Sequence, residues 1–260
     1  MDLNLGGRKA LITGASKGIG RAIAEQLAEE GCDLYVAART GEELETLSED
    51  LSMKHKVMVQ NFALDLSVSA NMRLLAEACA DIDILVNNAG AIPGGSLAEI
   101  DEARWREAWD LKVFGYINLT RDVYANMKER GNGVIVNVIG TGGEMPRASY
   151  IAGAAGNAAI MAFTRALGGS SPDDGIRVVG INPGPILTDR LEGLLKTWAA
   201  DQLGDAARWQ ELMHPMPFAR AGTVEECATM VAYLASDLSA YTSGTVITID
   251  AGSVNRGSLV

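Results

Sequence analysis

Three glycines in the stretch Thr13-Gly14-Ala15-Ser16-Lys17-Gly18-Ile19-Gly20 have the spacing that cradles a pyrophosphate. An apolar run, Lys9–Thr13, precedes them and an amphipathic run, Ile19–Glu30, follows, so the loop joins a strand to a helix. In that setting Gly14 permits a tight turn, Gly18 lets phosphate approach the backbone, and Gly20 lets helix pack on strand. Ser16, Lys17 and Ile19 lie on the same loop and face the same ligand. The helix N-terminus then directs its free N–H groups at the phosphates. Redox chemistry at such a site also requires a proton-transfer group, and that requirement is harder to meet in this chain.

The elements that must position the loop can be read from periodicity. Apolar, β-branched runs fall at Lys9–Thr13, Asp33–Ala37, Val57–Leu64, Ile84–Asn87, Val134–Val138, Arg177–Ile181 and Val246–Ile249. Their continuous apolarity suits strands covered on both faces, hence a parallel sheet of about seven strands. Helical patterns fit Ile19–Glu30, Gly41–Met53, Ser67–Ala80, Ala103–Arg130, Tyr150–Gly168 and Val224–Ala235. Thr40 with Glu43, and Thr223 with Glu226, have capping-box spacing. Gly31 and Gly131 fall just past helix ends, where a left-handed residue is wanted. With no repeat or linker in its 260 residues, the chain reads as one α/β domain, doubly wound, with helices on both faces of the sheet.

Composition narrows the function. A net charge of −11 opposes binding to nucleic acid or to an anionic membrane surface. No apolar stretch reaches membrane-spanning length, and Met1-Asp2-Leu3-Asn4 does not open a secretion signal. Cys32, Cys79 and Cys227 are unpaired in spacing and read as buried thiols of a cytoplasmic protein. With only His55 and His214, no metal site is expected.

Further signals align with the glycine loop. Asp65-Leu66 follows the third strand, where a carboxylate can accept from an adenine amino group. Asn87-Asn88-Ala89-Gly90 follows the fourth and offers small residues for close backbone approach. Asn182-Pro183-Gly184-Pro185-Ile186-Leu187-Thr188 follows the sixth, with a hydroxyl for a carboxamide or phosphate. Together these residues outline one crevice at the carboxyl ends of four strands. On them, and on Tyr241-Thr242-Ser243-Gly244-Thr245 and Asp250-Ala251-Gly252, the chain resembles the short-chain dehydrogenase/reductase family over nearly its whole length. The resemblance implies a Rossmann-like fold. Charge selects the cofactor: the second strand ends in Val36-Ala37-Ala38-Arg39-Thr40 without the carboxylate of an NAD site. Arg39 and Lys17 suit a 2′-phosphate, so NADP(H) is expected.

The acid–base residues of the resembled family are displaced. Its landmarks align the Lys position with Asn157, the Tyr position with Gly153, the Ser position with Gly140 and the Asn position with Lys112. One cation and one amide survive with places exchanged. Tyr150 lies one helical turn before Gly153, and Thr141 adjoins Gly140. The expectation is a rebuilt site of Tyr150, Lys112, Thr141 and Asn157, in which an ammonium lowers the pKa of a phenol. Read singly, these are a packing aromatic, a paired surface charge and a turn residue. Tyr124-Ala125-Asn126-Met127-Lys128 has the Tyr-x-x-x-Lys spacing but sits at the wrong end of its helix.

The apolar stretch from Arg190 to Phe218 lies where a substrate lid would, or where a helix pair would pack on the body or on another subunit. The expected function is NADP(H)-dependent oxidation or reduction of an apolar small molecule, by a homodimer or homotetramer. A silent NADP(H)-binding protein, or a non-redox enzyme on the same fold, are the alternatives.

Overall fold

The computed structural model describes residues 2–256. The expected apolar runs form β1 (Lys9–Thr13), β2 (Asp33–Ala38), β3 (Val59–Ala63), β4 (Ile84–Asn87), β5 (Gly133–Val138), β6 (Ile176–Pro183) and β7 (Val246–Ile249). They pair in parallel in the order β3-β2-β1-β4-β5-β6-β7. Every residue of β4 and β5 is buried, as continuous apolarity requires. The chain winds outward from β1 to β3, then returns to place β4 against the other side of β1. That reversal opens a crevice at the carboxyl ends of β1 and β4.

Helices α1 (Gly18–Glu29), α2 (Gly41–His55), α3 (Ser69–Ala78), α4 (Glu102–Trp109), α5 (Gly115–Arg130), α6 (Ile151–Ser170), α7 (Asp189–Leu203) and α8 (Val224–Ala235) fill the intervals. On one face Ile23, Leu27, Leu47, Val231 and Leu234 from α1, α2 and α8 form the core with Ile12, Val36 and Val86. On the other, Leu75, Leu119, Val123 and Met127 from α3 and α5 pack on Leu11, Leu85 and Ile135. Cys32, Cys79 and Cys227 are buried free thiols whose pKa values burial pushes up to about 12.

Four local expectations are settled by these contacts. Thr223 and Glu226 form the full capping box, and Gly31 and Gly131 adopt φ of +84° and +66°. The Thr40 side chain makes no cap bond; it is exposed at the crevice edge. Tyr124 donates to Asp174 at 2.6 Å and Lys128 pairs with the same carboxylate at 3.0 Å. Burial and that carboxylate push the Tyr124 phenol up to about 12, which makes it a structural donor.

The expected single helix from Ala103 to Arg130 is broken by a π turn at Asp110–Phe114. Its extra residue shifts the phase of the helix, so Lys112 turns inward. Trp109 donates to the Ala152 carbonyl at 3.1 Å. Gly156 is open-sided where Val113 packs, and a Cβ there would lie 3.1 Å from Val113.

Two adjacent glycines of α6 test this packing. A Cβ on Gly168 would fall 2.4 Å from the Gly244 nitrogen and the Val178 oxygen, whereas Gly169 faces open space. Gly168→Ala should lower stability by about 1–3 kcal/mol, and Gly169→Ala should raise it by up to about 1 kcal/mol. Urea unfolding midpoints of the two variants check both signs.

Candidate active site

The crevice floor is a hydrogen-bonded junction between β1 and β4. Thr13 Oγ1 accepts from the backbone N–H groups of Asn88 (2.9 Å) and Ala89 (3.1 Å), and donates to the Val86 carbonyl at 3.3 Å. Asn88 Nδ2 donates to the carbonyls of Thr13 at 3.0 Å and Gly14 at 3.1 Å. Gly14 holds φ +69°. A Cβ on Gly20 would lie 2.2 Å from the Gly14 oxygen, so only glycine lets α1 start this close. The α1 cap residue, Lys17, gives the helix no side-chain bond. Its first-turn N–H groups are left for a ligand, with the positive end of the helix dipole behind them.

A cavity of about 950 Å³ runs along this floor. Gly14, Ser16, Lys17, Gly18, Ile19 and Gly20 line it from one side, and Asn88, Ala89 and Gly90 from below. Arg39 and Leu66 close one end, while Pro183 and Thr188 stand opposite the glycine loop. Asp65, Gly184 and Ile186 do not line it. The Asp65 carboxylate accepts from the Ser67 amide (2.9 Å) and hydroxyl (2.7 Å), which hold it below the usual carboxylate range. Gly184 is pressed on Asp250, where a Cβ would meet Asp250 Cβ at 2.7 Å, and Ile186 is buried against Gly222. These three shape the crevice from behind.

At the other end of the cavity, Lys112 passes over Gly90, where any Cβ would meet its Cδ at 2.7 Å. Its ammonium donates to the Ile139 carbonyl at 2.7 Å and lies 5.8 Å from the Tyr116 ring centre. Burial holds its pKa down at about 8, with the Arg190 charge adding to the effect. Tyr150 occupies the space beside Gly153, where a Cβ would fall 2.0 Å from its Cζ and 2.5 Å from its hydroxyl. The ring also covers Gly142, and Gly95 fastens the segment by donating to the Ser149 carbonyl at 2.8 Å. Burial raises the Tyr150 pKa, opposed by Arg190. Asn157 is buried with its Nδ2 beside Gly140 and Gly142, and its Oδ1 has no partner among the described residues. Thr141 opens a short turn, Thr141–Gly143.

The structure brings Lys112 to the cavity wall, while Tyr150, Thr141 and Asn157 adjoin Gly140 and Gly142 rather than lining it. The expected bond from Lys112 to Tyr150 is absent, because the π turn aims the ammonium at the end of β5. The cation that acts on the phenol is Arg190, whose guanidinium donates to the Ile92 carbonyl at 3.0 Å. Sequence reasoning did not single out Arg190; its place two residues after Thr188 was the available signal. It read Asn182 only as the start of the Asn182–Thr188 stretch, and gave Glu144 no part in the site. Asn182 accepts from the Gly140 amide at 3.3 Å and donates to Glu144 at 2.6 Å, and Glu144 accepts from Thr248 at 2.9 Å.

The short chain dehydrogenase family model matches residues 8–198. The chain belongs to that family. It is 32% identical over 253 residues to 3-oxoacyl-(acyl-carrier-protein) reductase FabG of Vibrio cholerae, covering 96% of this chain and 98% of that one. The L-sorbose reductase of Gluconobacter frateurii, solved with NADPH and L-sorbose, superposes with a TM-score of 0.93 at 31% identity, over 99% and 100% of the two chains. The actinorhodin polyketide ketoreductase solved with NADPH superposes at 0.90 with 29% identity, over 96% and 98%. Among the described residues no helix of this short-chain dehydrogenase is long and apolar enough to cross a membrane, and no acid–histidine–cysteine cluster could hold a metal.

Lys112 makes stability depend on pH in a defined direction. Its amine loses its proton at about pH 8 when folded, against 10.5 ordinarily. Between these values the unfolded chain binds more protons, so the Lys112 contribution to stability rises with pH. Lys112→Met lacks that titration. Its stability relative to the parent should therefore fall as pH is raised from 8 toward 10, and paired urea titrations across that range check it.

Proposed function

We propose that this short-chain dehydrogenase interconverts a carbonyl and an alcohol with NADP(H), using Lys112 rather than a tyrosine as its proton-transfer group. The oxidoreductase class and the NADP(H) cofactor follow from the family and from relatives solved with NADPH. The observation that carries the catalytic reading is a lysine at the cavity wall whose pKa lies near 8.

The chain's residues fit the cofactor. The close-packed glycine loop and the uncapped start of α1 suit a pyrophosphate, with Gly14, Gly18 and Gly20 giving the approach. Lys17 and Arg39 are exposed on the cavity wall, and β2 ends in Ala38 with no carboxylate to repel a 2′-phosphate. Ser16, Ile19, Leu66, Asn88, Ala89, Gly90, Pro183 and Thr188 complete the wall, with Asp65, Gly184 and Ile186 supporting it. NADPH supplies the hydride when bound.

Lys112 handles the proton. At neutral pH its ammonium is charged, and one N–H is held by Ile139. A substrate carbonyl oxygen accepts a second N–H. As the carbonyl carbon gains the hydride, that oxygen takes the proton from Nζ and leaves a neutral amine, which solvent reprotonates. A pKa near the working pH serves both directions. Burial keeps the Tyr150 phenol protonated, and it stands behind the cavity wall against Gly142 and Gly153. Thr141 and Asn157 lie beside it at Gly140 and Gly142, so these three support the wall on which Lys112 works. Leu194, Trp198 and Phe218, exposed on the stretch from Arg190 to Phe218, give the substrate's carbon skeleton an apolar cover.

Nicotinamide fluorescence should show NADPH bound at least tenfold tighter than NADH, about 1.4 kcal/mol, and Arg39→Asp should erase most of that preference. In a carbonyl panel, Lys112→Met should lower turnover by about 10²–10⁴ while nucleotide still binds. Nucleotide binding with no turnover of any carbonyl would instead support a silent binding protein.

A further inference from the structure

Arg190 stands where a cation is poorly placed unless something anionic meets it. It is the second residue of α7, next to the positive end of the helix dipole, where cations are disfavoured. Its guanidinium crosses the crevice and uses one of its N–H groups on the Ile92 carbonyl at 3.0 Å. On the same segment, two residues away, the Lys112 side chain packs over Gly90. The two cations therefore converge on Gly90–Ile92, and Arg190 is the charge that presses the Lys112 pKa further down. Neither forms an ion pair among the described residues.

The cavity carries five cations on its wall against two carboxylates, Glu107 and Asp189, in a chain with 33 acidic and 22 basic residues. Such a wall concentrates anions against the charge of the whole molecule. Lys17 and Arg39 are accounted for by the cofactor's 2′-phosphate. Lys112 is taken by the carbonyl oxygen, and Arg104 is exposed on α4. Arg190 is left without an anionic partner among the described residues. Asp189, the sequence neighbour of Arg190, lines the same cavity but forms no ion pair with it among the described residues.

We propose that the substrate carries an oxyanion, carboxylate or phosphate, beside its reactive carbonyl, and that Arg190 binds it. The inference rests on the oxidoreductase reading and narrows its substrate to an acid with an apolar body. A guanidinium holds such a group through two parallel N–H bonds. This also fixes which end of the substrate enters first, since Arg190 and Lys112 would take the oxyanion and the carbonyl oxygen respectively.

The test uses the protein saturated with NADP and measures equilibrium binding of three probes: hexanoate, hexyl phosphate and hexanamide. At least one anion should bind about tenfold tighter than the amide, and whichever does identifies the oxyanion. Arg190→Gln should bring that anion's affinity down to the amide's. Equal affinities of all three probes for the parent protein would overturn the proposal, as would an anion preference that survives Arg190→Gln. Because the readout is binding, a protein that prefers anions yet oxidises no NADPH would reject the redox reading and leave this site standing.

Discussion

Thr13 and Asn88 hold the two halves of the sheet together at the one place where the winding reverses. The threonine hydroxyl accepts twice and donates once, and the asparagine amide gives both hydrogens to carbonyls across the junction. Leaving any one of these buried groups unpaired would cost about 1–3 kcal/mol. Their mutual satisfaction frees the turn from Gly14 to Gly20 to direct its remaining amides outward. The crevice is thus the open side of a junction whose closed side is fully bonded, and everything that lines it takes its position from there.

A second set of bonds carries this order from β4 to the Lys112 end of the cavity. Asn87 donates to Thr120 on α5 (3.0 Å) and to Asn137 on β5 (2.9 Å), and Asn137 donates to Thr164 on α6 (2.9 Å). The helices that bear Lys112 and Asn157 are therefore tied to the sheet by polar contacts as well as by packing. The Gly140–Asn182–Glu144–Thr248 chain does the same for the loop after β5. Against this rigid backing, a lysine reaching a backbone carbonyl loses solvation without gaining a carboxylate. That imbalance is the physical origin of its low pKa.

The readable parts of the chain were those governed by local rules. Strand positions followed from apolar runs, and the glycine loop from the demand for space at Gly14 and Gly20, which only backbone contacts decide. Tyr150 was found near Gly153 because one helical turn is a fixed distance. The π turn was hidden, since a pattern of 3.6 residues carries no mark of an inserted residue until Val113 meets Gly156. With it went the direction of Lys112, and hence the partner of its ammonium. Arg190 escaped notice because its meaning depends on what lies opposite, on Gly90–Ile92, almost a hundred residues away in the chain. Thr40 had the right spacing for a cap and the wrong surroundings.

The packing of Tyr150 against Gly153 has a consequence for how such a site can change. The ring and a side chain at 153 compete for one volume, so the two placements of an aromatic hydroxyl are mutually exclusive. A chain that acquired a residue at 153 first would have to expel the ring, while one that lost the ring first would carry a hole, each at a cost comparable to much of a domain's marginal stability. Neither single step is neutral. A lineage holding this arrangement sits in a valley of sequence space with steep walls, and leaves it only by altering both positions together.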